Sequence, residues 1–115
     1  MEKFMLLFRN DYTTDFIPTP EERQAMMQKW INWVNTLAAQ GNLVDQGNRL
    51  DNDGKVVKPG NLITDGPYTE SKESIGGYTV IQSGSLNEAA AIVKDCPILM
   101  IGGNVEIRRV IDMNS

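Results

Sequence analysis

Lys3-Phe4-Met5-Leu6-Leu7-Phe8-Arg9 decides how the rest of the chain is arranged. Side chains of an extended strand alternate between faces, so Phe4, Leu6 and Phe8 line one side while Met5 and Leu7 line the other. Both sides are apolar, and both need cover. Such a strand belongs inside a sheet, with helices packed on one face and a further layer over the opposite one.

The next segment supplies a helix. Thr19-Pro20-Glu21-Glu22 places Thr at the N-cap, Pro at the first helical position and Glu22 where it can close a capping box at the positive end of the helix dipole. Met26, Trp30, Trp33 and Leu37 then recur at helical spacing beside Met27, Ile31, Val34 and Ala38. This predicts a helix that runs to about Gln40 and is ended by Gly41. Trp30, Trp33 and the Met26-Met27 pair read as core or dimer packing.

Residues 43–50 read as a second strand, in which Asp45 and Arg49 share a face and form either an ion pair, the favoured reading, or a polar pocket floor. An Asn52-Asp53-Gly54 turn and the short runs Val56-Val57 and Leu62-Ile63-Thr64 predict a hairpin insertion. Residues 78–83 form another strand. Ser85-Leu86-Asn87-Glu88 opens a second helix through Ala89, Ala90, Ile92 and Val93, and Cys96-Pro97 stops it. Residues 105–111 close the chain as a strand, with Val105, Ile107 and Ile111 on one side and Glu106 and Arg108 on the other. The order strand, helix, strand, insertion, strand, helix, strand predicts an α+β, ferredoxin-like antiparallel sheet with two helices on one face and a β-hairpin insertion. A single domain is expected over residues 1–115. The sheet face carrying Met5 and Leu7 stays bare in one subunit, which predicts a homodimer packed through that face.

Composition narrows the chemistry. The chain carries 11 basic and 15 acidic side chains for a formal charge of −4, a field that repels phosphate backbones, so no direct nucleic-acid contact is expected. Histidine is absent and Cys96 is the single cysteine. Ser-His-Asp and Cys-His systems are thereby excluded, as are zinc sites built on His or on several thiolates. Cys96 has no partner for an intramolecular disulfide and reads as a small buried hydrophobe. Asp51-Asn52-Asp53-Gly54 looks like a calcium loop, but Leu62 stands at the twelfth position, where a bidentate Glu is needed. Neither a metal nor a cofactor is expected. No apolar run approaches the roughly 18 residues of a membrane span. A cytoplasmic protein without membrane contact fits these features.

The densest stretch is Asp65-Gly66-Pro67-Tyr68-Thr69-Glu70-Ser71-Lys72-Glu73-Ser74-Ile75-Gly76-Gly77-Tyr78, which combines a rigid turn, carboxylates, a lysine, two tyrosines and a glycine pair. Pro67 biases Gly66 toward an extended shape, and the Asp65 carboxylate can accept hydrogen bonds from backbone N–H groups of the turn. Gly76-Gly77 permits close approach of another backbone.

These residues resemble the signature of the DGPF branch of the YCII-related proteins, in Asp65-Gly66-Pro67-Tyr68, Glu70, Lys72-Glu73 and Gly76-Gly77-Tyr78. Pro20-Glu21-Glu22, Trp30, Trp33, Gly41 with Leu43-Val44, Cys96-Pro97, Gly102-Gly103 and Val105-Glu106-Ile107-Arg108 extend the resemblance over nearly the whole chain. It implies a dimeric α+β barrel of ferredoxin-like subunits. Members of the wider family resemble small enzymes with a His–Asp dyad. Here Trp30 stands about where that His would fall, and Asp95 about where the Asp would. Genes of this branch often neighbour those of extracytoplasmic-function sigma factors, which implies a link to transcriptional control.

Two functions stay open. The first is a small ligand-binding or regulatory dimer with a protein partner. The second is a small enzyme acting on an organic substrate at the Asp-Gly-Pro loop. In the enzyme, Asp65, Glu70 and Glu73 would be the catalytic carboxylates, and Tyr68, Lys72, Tyr78, Gly66 and Gly77 would bind the ligand. The bland alternatives are a turn-capping Asp65 and a solvated charge run at residues 70–73.

Overall fold

The computed structural model describes residues 1–9, 19–66 and 74–113. Tyr68, Glu70, Lys72 and Glu73 lie outside the described residues. The elements are β1 (Glu2–Arg9), α1 (Pro20–Ala39), β2 (Leu43–Asp45), β3 (Gly54–Lys58), β4 (Leu62–Gly66), β5 (Ile75–Ser83), α2 (Leu86–Val93), a 3-10 helix (Pro97–Ile101) and β6 (Asn104–Arg109).

The main sheet has the order β2-β5-β1-β6, and its pairings are antiparallel. β1 is interior, as its two apolar faces require. Leu6 pairs with Thr79 of β5 and Ile107 of β6, so one register row crosses three strands. Phe4, Leu6 and Phe8 are buried beneath Trp33, Val34 and Leu37 of α1 and Ala89 and Val93 of α2, and Ile81, Cys96 and Ile98 complete the core. Burying one such large apolar side chain contributes about 1.5–3 kcal/mol. Together these contacts hold both helices on one side of an α+β sandwich.

Both helices start as their sequences dictate. The Thr19 hydroxyl accepts a hydrogen bond from the Glu22 N–H at 3.1 Å, and the Ser85 hydroxyl accepts one from the Glu88 N–H at 3.1 Å. At the far end of α1, Gly41 takes a φ of 77°. The Gly41 N–H bonds to the Ala38 carbonyl and the Asn42 N–H to the Leu37 carbonyl, a Schellman stop. The Gln82 side-chain amide then donates to the Gly41 carbonyl at 2.9 Å, tying this helix end to β5.

Several expectations are corrected. β2 ends at Asp45, and past an irregularity at Gly47, whose φ is 73°, the chain rejoins β5 through the antiparallel bridge of Arg49 to Gly77. The Asp45 carboxylate accepts the Gly47 N–H at 2.9 Å and stabilises that irregularity, and no ion pair joins it to Arg49 among the described residues. The hairpin β3–β4 reverses through Gly60 and Asn61, both at positive φ, and Gly54 is already in strand. The 3-10 helix after Cys96-Pro97 was not foreseen. Ile111 lies beyond the end of β6 and is exposed.

β3 and β4 form a separate two-stranded sheet that packs chiefly on itself. Its cross-strand pair Val57 and Ile63 is exposed. On the main sheet, Met5, Leu7, Tyr78 and Val80 form a half-exposed apolar face opposite the helices. No described helix is long and apolar enough to cross a membrane.

Candidate functional site

The site begins where two backbones meet closely. Beyond Gly47, residues 48–50 pair antiparallel with the start of β5. The Tyr78 N–H donates to the Asn48 carbonyl at 3.2 Å, and the Leu50 N–H donates to the Gly76 carbonyl at 2.9 Å. The Thr79 hydroxyl donates to the Gln46 carbonyl at 3.0 Å, and the Asn48 side-chain amide donates to the Tyr78 hydroxyl at 3.2 Å.

Such an approach leaves no room for a side chain at Gly47 and little at Gly77. A Cβ on Gly47 would fall 1.8 Å from the Tyr78 carbonyl oxygen, and one on Gly77 would fall 3.0 Å from the Asn48 carbonyl oxygen. Glycine is therefore needed at Gly47 for its φ of 73° as well as for space.

This close pairing forms one wall of a cavity of about 520 Å³. Opposite stands α1, with Met26, Met27, Lys29, Trp30 and Ile31, and the 3-10 helix contributes Pro97, Ile98, Met100 and Ile101. Phe8 also lines it, meeting Trp30 edge to face with ring centroids 5.0 Å apart at 79°. Trp30 in turn lies 5.4 Å from Trp33 in the core. The two tryptophans thus have different roles: Trp33 is buried, whereas Trp30 packs on the core and borders the cavity. Met26 and Met27 likewise serve the cavity wall, and Met27 is largely exposed.

The charges of the wall have one sign. Among the described lining residues, Lys29 and Arg49 are the only formally charged groups. A cavity of this size, mostly apolar with a few polar groups, has the make-up of a small-molecule site.

The residues singled out from sequence separate in space. Gly77 and Tyr78 lie in the wall. Asp65 and Gly66 do not: they sit on β4, where the Asp65 carboxylate is paired with the Lys55 ammonium at 2.6 Å and its side chain is 92% exposed. Asp95 borders a shallower groove with Lys29, Asn32 and Trp33, outside the main cavity. No group of three or more His, Cys, Asp or Glu side chains is placed to hold a metal ion among the described residues. Cys96 is buried, and desolvation pushes its thiol up to about 11 despite an opposing backbone hydrogen bond at Ile98.

Sequence reasoning offered Arg49 only in the alternative of a polar pocket floor, and it missed Gln46, Gly47 and Asn48 as a wall. The available signal was Gly47 inside an otherwise strand-like run, which marks a break or a close backbone approach.

The YCII-related domain matches residues 3–114. The chain belongs to the YCII-related family. A comparison with curated proteins finds no match. Among solved structures, the chain is similar to 5-chloro-2-hydroxyhydroquinone dehydrochlorinase from Burkholderia phenoliruptrix in complex with 2,5-dihydroxybenzoquinone. That likeness has 16% identity over 96% of each chain and a TM-score of 0.43. Trp30, which stands about where the family resemblance places a histidine, borders the cavity.

Proposed function

We propose that this YCII-related protein is a small-molecule-binding homodimer whose ligand occupies the cavity between α1, the segment 46–49 and the start of β5. One observation carries the reading: a cavity of about 520 Å³ with apolar walls and no carboxylate among its described lining residues. Such a lining, apolar with a few polar groups, is suited to hold and orient a small organic ligand. The dimer forms through the face of Met5, Leu7 and Val80, which otherwise leaves apolar surface in water. In a cytoplasmic setting, occupancy would alter the surface offered to a protein partner. A connection to sigma-factor-type control rests on the family resemblance alone.

A tryptophan-fluorescence titration with phenyl-bearing fragments tests this reading. Binding is expected to change the emission of the wild-type protein and to change that of Trp30→Phe far less, because Trp30 borders the cavity and Trp33 is in the core. An equal response in both proteins would place the ligand elsewhere.

A further inference from the structure

Charge at the cavity and charge on the protein have opposite signs. The chain as a whole is acidic, at −4, whereas Lys29 and Arg49 are the only formal charges in the described wall. Against that −4 background, the two cations make the cavity a local site of positive charge. The two cations are not equivalent. Lys29 is shared with the neighbouring groove, which also carries Asp95. Arg49 is held against β5 by its bridge to Gly77, and its guanidinium is built for two parallel hydrogen bonds to a carboxylate.

The remaining wall selects the rest of the ligand. Trp30 and Phe8 supply ring surface, and Met26, Met27 and Met100 are unbranched, polarizable side chains that adapt to irregular apolar shapes. Resting on the reading of this cavity as a small-molecule site, we infer that its ligand is an apolar carboxylic acid. Its carboxylate meets Arg49, and its hydrocarbon body lies against Trp30 and Met26. A cation would meet two like charges.

Three probes with one body and different heads test the inference by calorimetry: 4-phenylbutanoate, 4-phenylbutanamide and 4-phenylbutylamine. The acid is expected to bind about tenfold or more tightly than the amide, the usual scale of a charge-assisted contact, with the amine weakest. Arg49→Gln should remove that preference, so that acid and amide bind within about twofold of each other, with an unchanged melting temperature as the folding control. Because Arg49 is exposed, raising the salt should weaken the acid and not the amide. Equal binding of acid and amide, or an acid preference that survives Arg49→Gln, overturns the assignment of ligand charge and leaves the cavity as a binding site. Failure of all three probes overturns both.

Discussion

Gly47 and Tyr78 are in backbone contact so close that a Cβ on Gly47 would lie 1.8 Å from the Tyr78 carbonyl oxygen. Gly47→Ala must therefore move the segment 46–49 off β5 and also adopt a positive φ. The expected cost is about 2–4 kcal/mol in a urea melt. Gly41→Ala separates strain from clash, since Gly41 has a φ of 77° but a Cβ there would meet nothing within 4 Å. It should cost only about 1 kcal/mol. Equal losses at the two sites would show that the contact yields more easily than its geometry implies.

Leu7→Lys places a charge on the sheet face opposite the helices, beside Met5 and Val80. Sedimentation velocity should show the wild type as a dimer and the variant as a monomer with an unchanged circular dichroism spectrum. A wild-type monomer at micromolar concentration contradicts the proposed interface.

The Cys96 thiol has a pKa raised to about 11 by desolvation, so folding favours its neutral form. The unfolded chain releases this proton first as pH rises, and the stability that Cys96 contributes is intact below about pH 8.5 and lost as pH climbs towards 11. Alkylation by iodoacetamide at pH 8 should be slow in the native protein and complete in urea. In Cys96→Ala, stability should decline less steeply between pH 9 and 11. A rapidly alkylated native thiol would contradict the burial.

Asp65 and Lys55 form an exposed pair on a hairpin that packs chiefly on itself. Asp65→Asn should change global stability by less than about 1 kcal/mol and leave ligand affinity unaltered. In hydrogen exchange, amides of residues 54–66 should open well before those of β1, which is hydrogen-bonded on both sides. A large loss of binding in Asp65→Asn would return the site to the Asp-Gly-Pro corner.

What could be read from the sequence follows a physical divide. β1, α1 and α2 were legible because their signals are local: alternation in residues 3–9, and hydroxyl caps at Thr19 and Ser85. The sheet order followed, since few topologies satisfy that succession of elements. The cavity was not legible. Its wall comes from Met26 and Trp30 on one helix, Arg49 on a broken strand, Gly77 on another and Ile98 on a 3-10 helix. These residues share no sequence pattern and meet only through tertiary packing. The Asp65 corner drew attention through its density of chemistry, yet burial and convergence, which decide a site, cannot be counted along a chain. Gly77 and Tyr78 bridge the two descriptions, since they belong both to the dense motif and to the observed wall.

The most direct test of the account is an amide NMR titration of the protein with 4-phenylbutanoate. Perturbations are predicted at residues 26–31, 46–49 and 76–79, with the indole N–H of Trp30 among the largest and residues 54–66 unmoved. Perturbations centred on residues 62–66 of β4, with the α1 and 46–49 resonances unchanged, would contradict it.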